Sequence, residues 1–292
     1  VGHLPAPELT TNTIDTVDLD PVPTDDASVE WRQANIRFSD PATVEMTAVT
    51  VLSPLVDFGG GRWFFVRKAP YWRVRLHADL AGAAHLGEAL DKLRIRRLIH
   101  DWTWSVYEPE TRAFGGTAGM QVAHTLFVSD TAHVLAYLAH RQARPTGPDQ
   151  REQVSILLAA LLHRAAGLDW YEQGDVWERI AHHRATATTP TADDVTATRR
   201  LLTVDTARLV ENNEALTWLA PWAAAYTATG DRLREHSQRG ELTRGIRAVL
   251  AHHALFAWNR IGLDSQAQAH IAHTAAAAVF DDGPHSRTGV TS

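Results

Sequence analysis

Cysteine is absent from all 292 residues, which excludes disulfides, thiolate metal sites and a cysteine nucleophile. No apolar run approaches the roughly 20 residues that cross a bilayer. The first residues lack a basic n-region and an apolar h-region, so a cytoplasmic protein without membrane association is expected. Positive charge is missing from one stretch: residues 1–30 hold seven acids (Glu8, Asp15, Asp18, Asp20, Asp25, Asp26, Glu30) and no Lys or Arg. The net charge is −6, so the remainder sums to about +1, which gives no basis for broad nucleic-acid binding. Phosphate and dinucleotide motifs are also lacking, since Gly59-Gly60-Gly61 has no Lys-Ser/Thr after it. No nucleophile elbow is present. His182-His183 lacks the i, i+4 spacing of a helical zinc pair, and no metal is expected.

The composition that remains is that of a globular protein, 45% hydrophobic and 21% charged. Residues 1–30, with four prolines and few large apolar groups, read as a disordered acidic arm. Within it, Ile14-Asp15-Thr16-Val17-Asp18-Leu19-Asp20 has the pattern of an acidic, apolar docking peptide. Trp31–Phe38 alternates as a strand with Ala34, Ile36 and Phe38 on one face, and residues 42–53 have helical spacing. Asp57–Gly61 is a turn. Strands follow at Trp63–Arg67 and Trp72–Leu76, a helix at 81–94 and a strand at Ile99–Tyr107. A long helix spans Met120–His140, and Arg144–Pro148 is a linker. Helices are then expected at 151–166, about 170–184, 193–211, 214–228, 241–258 and 264–280, with a break at Thr186–Thr191 and a tail at His285–Ser292. The fold class is α+β. A mixed, largely antiparallel sheet with helices occupies 31–145, and an all-helical part, 149–283, packs on it as one compact unit.

Three stretches carry candidate chemistry. The densest is Tyr107-Glu108-Pro109-Glu110-Thr111-Arg112-Ala113-Phe114-Gly115-Gly116, between a strand and a helix. Pro109 sets a turn and Gly115-Gly116 permits close backbone approach. Tyr107 is a candidate proton donor and Glu110 a partner for arginines. Arg112 would face substrate or solvent, and Glu108 reads as a surface charge. In Trp72-Arg73-Val74-Arg75-Leu76, strand alternation puts Arg73 and Arg75 on one face and Trp72, Val74 and Leu76 on the other. Two adjacent guanidiniums suit a carboxylate, and Arg67 across the turn would join them. A solvated polar face is the competing reading. In His252–Arg260, Phe256, Asn259 and Arg260 lie within about one turn, and a simple helix cap competes with a site. His124 and His163, on apolar faces, read as hydrogen-bonded core histidines.

Trp63–Lys68 with Trp72–Arg75, Tyr107–Gly116 running on to Met120, Ala123-His124, Phe127 and Ser129-Asp130, Gly174–Trp177, and Phe256–Leu263 together resemble the thiopeptide-type bacteriocin biosynthesis family. That family is similar to the C-terminal elimination domain of lantibiotic dehydratases. The resemblance covers residues 31–280. It implies an enzyme without cofactor that acts on a ribosomally made, leader-bearing peptide, with other modifying enzymes of its pathway as further candidate partners. One implied reaction is formal [4+2] cycloaddition of two dehydroalanines, with loss of water and leader, as in thiopeptide pyridine synthases. The other is glutamate elimination from glutamylated Ser or Thr. A non-catalytic leader-binding scaffold is the third reading.

The resemblance implies that Arg73 and Arg75 would hold a departing glutamate. Eliminating members also carry an arginine where this chain has Ala113 and a histidine where it has Ala257. His253, one turn earlier, is the candidate replacement base. The losses favour cycloaddition, which needs the alkenes held together more than it needs acid–base groups. Tyr107, Trp72, Phe256 and Trp258 are candidate walls, with Tyr107, Glu110 and His253 for proton exchange. Arg67, Arg112, Phe114, Gly115, Gly116, Asn259 and Arg260 complete the expected substrate contacts.

Overall fold

The computed structural model describes residues 29–54, 62–184 and 189–280, without the side chains of Ala207 and Ala215. The acidic arm up to residue 28 with its Ile14–Asp20 segment, the 57–61 turn, residues 186–188 of the expected break and the C-terminal tail lie outside the described residues.

Four strands form one sheet: β1 (Glu30–Phe38), β2 (Arg62–Lys68), β3 (Tyr71–Ala78) and β4 (Ile99–Ser105). Their order is β2-β3-β1-β4 and every pairing is antiparallel. Helix α1 (Val44–Thr47), continued by a π-helical turn (Ala48–Leu52), links β1 to β2, and α2 (Leu80–Ile95) links β3 to β4. This is the βαββαβ alternation expected from the sequence. Ala34, Ile36, Phe65, Val74 and Ile99 are at most 1% exposed and make one sheet face a core layer. Side chains alternate along each strand, so the residues between them turn the other way. Asp79 fixes the start of α2 by accepting the Gly82 N–H at 2.8 Å.

The remainder is helical. α3 (Thr117–Ala143) lies along the outer edge of β2, where Thr131 Oγ1 accepts the Phe65 N–H at 3.4 Å. α4 (Arg151–Ala165), α5 (Trp170–His182), α6 (Ala192–Thr203) and α7 (Thr206–Glu211) follow. Next come a 3-10 turn (Glu214–Leu219), α8 (Ala220–Gln238), α9 (Ile246–Ile261) and α10 (Ser265–Phe280). The expected helix 193–211 is two helices, because Val204 is extended at ψ 139°. Pro221 starts α8 near residue 220 rather than 214. α9 begins at Ile246, later than the expected 241, after Gly245.

Further contacts tie the helices to the sheet. Glu45 of α1 takes both forks of Arg151 (2.8 and 2.7 Å) and Arg67 Nη1 (2.6 Å). Arg260 of α9 donates to Phe65 O of β2 at 3.0 Å.

Candidate functional site

The register puts Arg73 opposite Asn35 and Val66, and Arg75 opposite Gln33 and Phe64. Both arginines therefore share the sheet face turned away from Trp72, Val74 and Leu76, as the alternation predicts. Their environments differ. Arg75 is buried; its Nε donates to Gln33 Oε1 at 2.8 Å, and its guanidinium stands 4.6 Å from the Tyr107 ring centre and 5.3 Å from that of Phe64. Glu110 Oε1 is 3.8 Å from Arg75 Nη2. Burial pulls the Arg75 pKa down, and Glu110 opposes that. Arg73 is half-buried, with no ion-pair partner among the described residues.

Arg67 does not join them. It sits opposite Trp72 on the core face, stacks over that indole at 4.5 Å, pairs with Glu45 and donates to Arg260 O at 2.9 Å. Residues paired directly across a hairpin share a face, so Arg67 goes with Trp72 and turns away from the arginine pair. Trp72 is correspondingly a core residue, stacked on Phe65 at 4.6 Å, and is no wall of the arginine face.

The Tyr107–Gly116 stretch is a compact loop folded on its own carbonyls. Glu110 O accepts from Ala113 N (2.8 Å) and Phe114 N (3.2 Å), and Thr111 O accepts from Gly116 N (2.8 Å). Gly115 and Gly116 have φ of 83° and 95°, where a side chain is strained, so the chain turns there directly into α3. Thr243 N donates to Gly115 O at 2.9 Å, which anchors the loop to the segment before α9. Pro109, Glu110, Thr111, Arg112, Ala113, Thr243 and Arg244 line a cleft of about 670 Å3. Phe114 is fully buried, ringed by Phe127 (5.3 Å), Phe256 (5.1 Å) and His253 (4.9 Å), so it supports the loop from behind.

On α9 the expected and observed roles diverge. His253 is 1% exposed, and neither ring nitrogen has a partner among the described residues. Burial lowers its pKa to about 3, and it faces Phe114 and Phe127 rather than the cleft. The half-buried neighbour His252 is linked to the cleft through Arg244. Its Nδ1 is 3.0 Å from Ala248 O and 3.5 Å from Arg244 Nη1, and Arg244 donates to Ala113 O at 3.3 Å. A proton on Nδ1, donated to Ala248 O, leaves Nε2 as a base. Burial first, then Arg244 and His183, hold His252 below the ordinary histidine pKa, against the raising effects of the Ala248 hydrogen bond and Glu110.

Phe256 is half-buried and stacks on Phe127 at 5.4 Å. Trp258 is a core residue stacked on Trp177 at 6.2 Å, and Asn259 Oδ1 accepts from Gln268 at 2.9 Å. Arg260 is fully buried and bonded to Asp130 and Phe65 O, so it joins helices and sheet and is closed to a substrate. Ala257 lines a small internal void with Asp130, Ser155 and Trp222, away from Glu110's cleft.

Tyr107 is positioned by its hydroxyl, 2.8 Å from His124 Nε2. Burial raises the tyrosine pKa and lowers that of His124 to about 4. His124 thus is a hydrogen-bonded histidine, as its apolar setting suggests, whereas His163 is buried with no partner for either ring nitrogen among the described residues. His124 also lines a polar groove with Trp31, Arg62, Gln121, Arg232 and His236. Sequence reasoning missed Gln33 and His252. The strand pattern does place Gln33 on the face cross-strand from Arg75, but the pairing register was not readable. His252 lost out to His253 because residue identity alone does not separate two adjacent histidines on a helix.

Among the described residues no group of three or more His, Asp or Glu is placed to hold a metal, and no helix is long and apolar enough to cross a membrane.

Comparison with known proteins agrees with this architecture. The tRNA-dependent lantibiotic dehydratase MibB from Microbispora sp. 107891 matches with a TM-score of 0.65 at 21% identity, over 89% of this chain and 29% of that one. TsrL matches at 0.52 and 15%, over 86% of this chain and 94% of that one. The pyridine synthase TbtD from thiomuracin biosynthesis matches at 0.51 and 13%, over 86% and 97%. The chain thus spans less than a third of MibB, and at these identities the likeness is one of fold. No curated protein sequence matches. The family described as lantibiotic biosynthesis dehydratase C-term matches residues 31–279, nearly all of the chain outside its acidic arm and tail, and the chain belongs to that family.

Proposed function

We propose that this chain modifies a leader-bearing, ribosomally made peptide by formal [4+2] cycloaddition of two dehydroalanines. The observation that carries this reading is the Glu110 carboxylate beside Arg75. The arginine that would hold a departing glutamate already faces an acid of the protein, and a second carboxylate would meet a like charge. Dehydroalanines are neutral and meet no such penalty. The family and the likeness to a pyridine synthase support a peptide substrate, with the fold shared by both reaction types.

In the proposed reaction, one dehydroalanine and the amide before it pass to an imidic tautomer: the amide nitrogen loses its proton and the carbonyl oxygen gains one. Two C–C bonds then form, between the two β-carbons and between the former carbonyl carbon and the α-carbon of the second dehydroalanine. Loss of the hydroxyl as water and of the leader as its carboxamide leaves the aromatic pyridine. His252 Nε2 or the Glu110 carboxylate accepts the amide proton, and Arg73 stabilises the oxygen. Phe256 and the 109–113 loop hold the alkenes together, which supplies up to roughly 7–11 kcal/mol of the barrier reduction. Other enzymes of the pathway would supply the dehydroalanines.

Glutamate elimination is the second reading. It is favoured by Arg73, which has no ion-pair partner among the described residues, and by His252 as a base for the α-proton. Glu110→Gln separates the two. Cycloaddition slows by about a hundredfold if Glu110 exchanges a proton, while elimination is unchanged or faster because the competing charge is gone. Faster glutamate loss in Glu110→Gln with no pyridine product from either protein would overturn the proposal.

A further inference from the structure

β4 is an end strand, and its outer edge is unpaired among the described residues. Natural sheets blunt such edges with charged side chains (lysine above all), proline, bulges or a covering element. The sequence Ile99-His100-Asp101-Trp102-Thr103-Trp104-Ser105 has neither lysine nor proline, and a register shift disturbs its pairing with β1 only at Phe38–Ile99. Large apolar groups flank it in the open: Ile95 is 78%, Trp104 42% and Val106 81% exposed.

The charge at its start is one-sided. Lys92, Arg94, Arg96 and Arg97 are all exposed in the six residues from 92 to 97, just before β4. Of the nearby carboxylates, Asp91 is engaged by Arg94 and Trp102 and Asp101 by Arg37, while Glu88 is exposed one turn before Lys92. Lys92, Arg96 and Arg97 have no ion-pair partner among the described residues. Cations near the end of α2 suit its dipole, but that does not account for Arg97. It alone among the described non-glycine residues has positive φ, 60°, at a position where glycine would be unstrained. Arg97 closes α2 in the left-handed region, where Leu98 N donates to Leu93 O at 3.0 Å, and its exposed side chain stands beside the start of β4.

We infer that the outer edge of β4 binds an extended acidic peptide as a fifth strand, with its acids on Lys92, Arg96 and Arg97 and an apolar residue against Trp104. Main-chain pairing gives affinity and the cations fix which end enters first. On the proposed function this peptide is the leader part of the substrate, and in that respect the inference rests on that reading.

The test is fluorescence anisotropy of the full chain at low salt. The probe is a labelled twelve-residue peptide of alternating aspartate and apolar residues. Two controls carry lysine for aspartate, or N-methyl groups on every second backbone nitrogen. The acidic probe should bind and both controls should lose binding. Arg96→Glu and Arg97→Gly together should weaken it on the order of tenfold, and Arg97→Gly alone should fold with an unchanged or raised Tm. Equal binding of the N-methylated probe, unchanged binding in the double variant, or pairing of β4 with a second copy that no peptide displaces would overturn the inference. Because binding is read without turnover, peptide pairing without product sinks only the proposed reaction. Product from a leader-bearing substrate at wild-type KM in the double variant sinks only the docking edge.

Discussion

Arg260 of α9 and Asp130 of α3 form an ion pair from which water is excluded, each side chain 1% exposed. Asp130 Oδ1 also accepts from Trp222 Nε1 (2.7 Å) and Tyr226 OH (2.9 Å), while the guanidinium lies 4.7 Å from the Phe127 ring centre. The pair is where the helical layers meet the β2 edge. Arg260→Met strands a buried carboxylate and should cost about 3–5 kcal/mol in urea unfolding. A variant of unchanged stability that has lost substrate affinity would return Arg260 to the substrate-contact role expected from the sequence.

Acid should loosen the fold through two histidines. His163 and His253 are fully buried, and burial lowers each pKa to about 3 from 6.5. Below pH 6.5 the unfolded chain binds protons that the folded chain refuses, so stability falls as pH drops from about 6.5 towards 3. Each contributes a slope of up to about 1.4 kcal/mol per pH unit. Urea midpoints between pH 7 and 5 should fall, and less steeply in His163→Leu. Parallel profiles for the two proteins would show that His163 is not buried neutral.

Gly262 ends α9 in the left-handed region, at φ 91°, and a Cβ there would come within 2.5 Å of Arg67 Nη1. Gly262→Ala should therefore cost about 1–3 kcal/mol, from strain and from displacement of Arg67 off Glu45. A thermal midpoint equal to wild type would mean that the Arg67–Glu45 tie carries little.

Tyr107 is expected to act through packing and through His124. Tyr107→Phe removes the 2.8 Å bond to His124 and keeps the ring over Arg75. A loss of about 0.5–1.5 kcal/mol is expected, with turnover near wild type. Abolished turnover in a stable protein would make the hydroxyl the proton donor that the sequence suggested.

Period-two alternation makes β1 and the Arg73/Arg75 face legible in the sequence alone, because pleat geometry leaves one solution. The Tyr107–Gly116 loop is legible through its proline and glycines. Long-range pairing is not. Nothing local says that Arg67 turns to Glu45, that Gln33 holds Arg75, or that Arg260 meets a carboxylate 130 residues away. The helix boundaries at 204 and 219 do carry local signals, Asp205 accepting the Arg208 N–H and Pro221 at the start of α8, but helical spacing of apolar residues runs across both and hides them.

Cycloaddition and elimination separate most directly by mass spectrometry of the purified chain with two leader-bearing peptides, one glutamylated on serine and one already holding two dehydroalanines. The second should lose water and its leader and yield a pyridine macrocycle, with the first unchanged. Loss of glutamate from the first to give a linear dehydrated peptide, with the second untouched, would contradict the cycloaddition reading and assign the cleft to elimination.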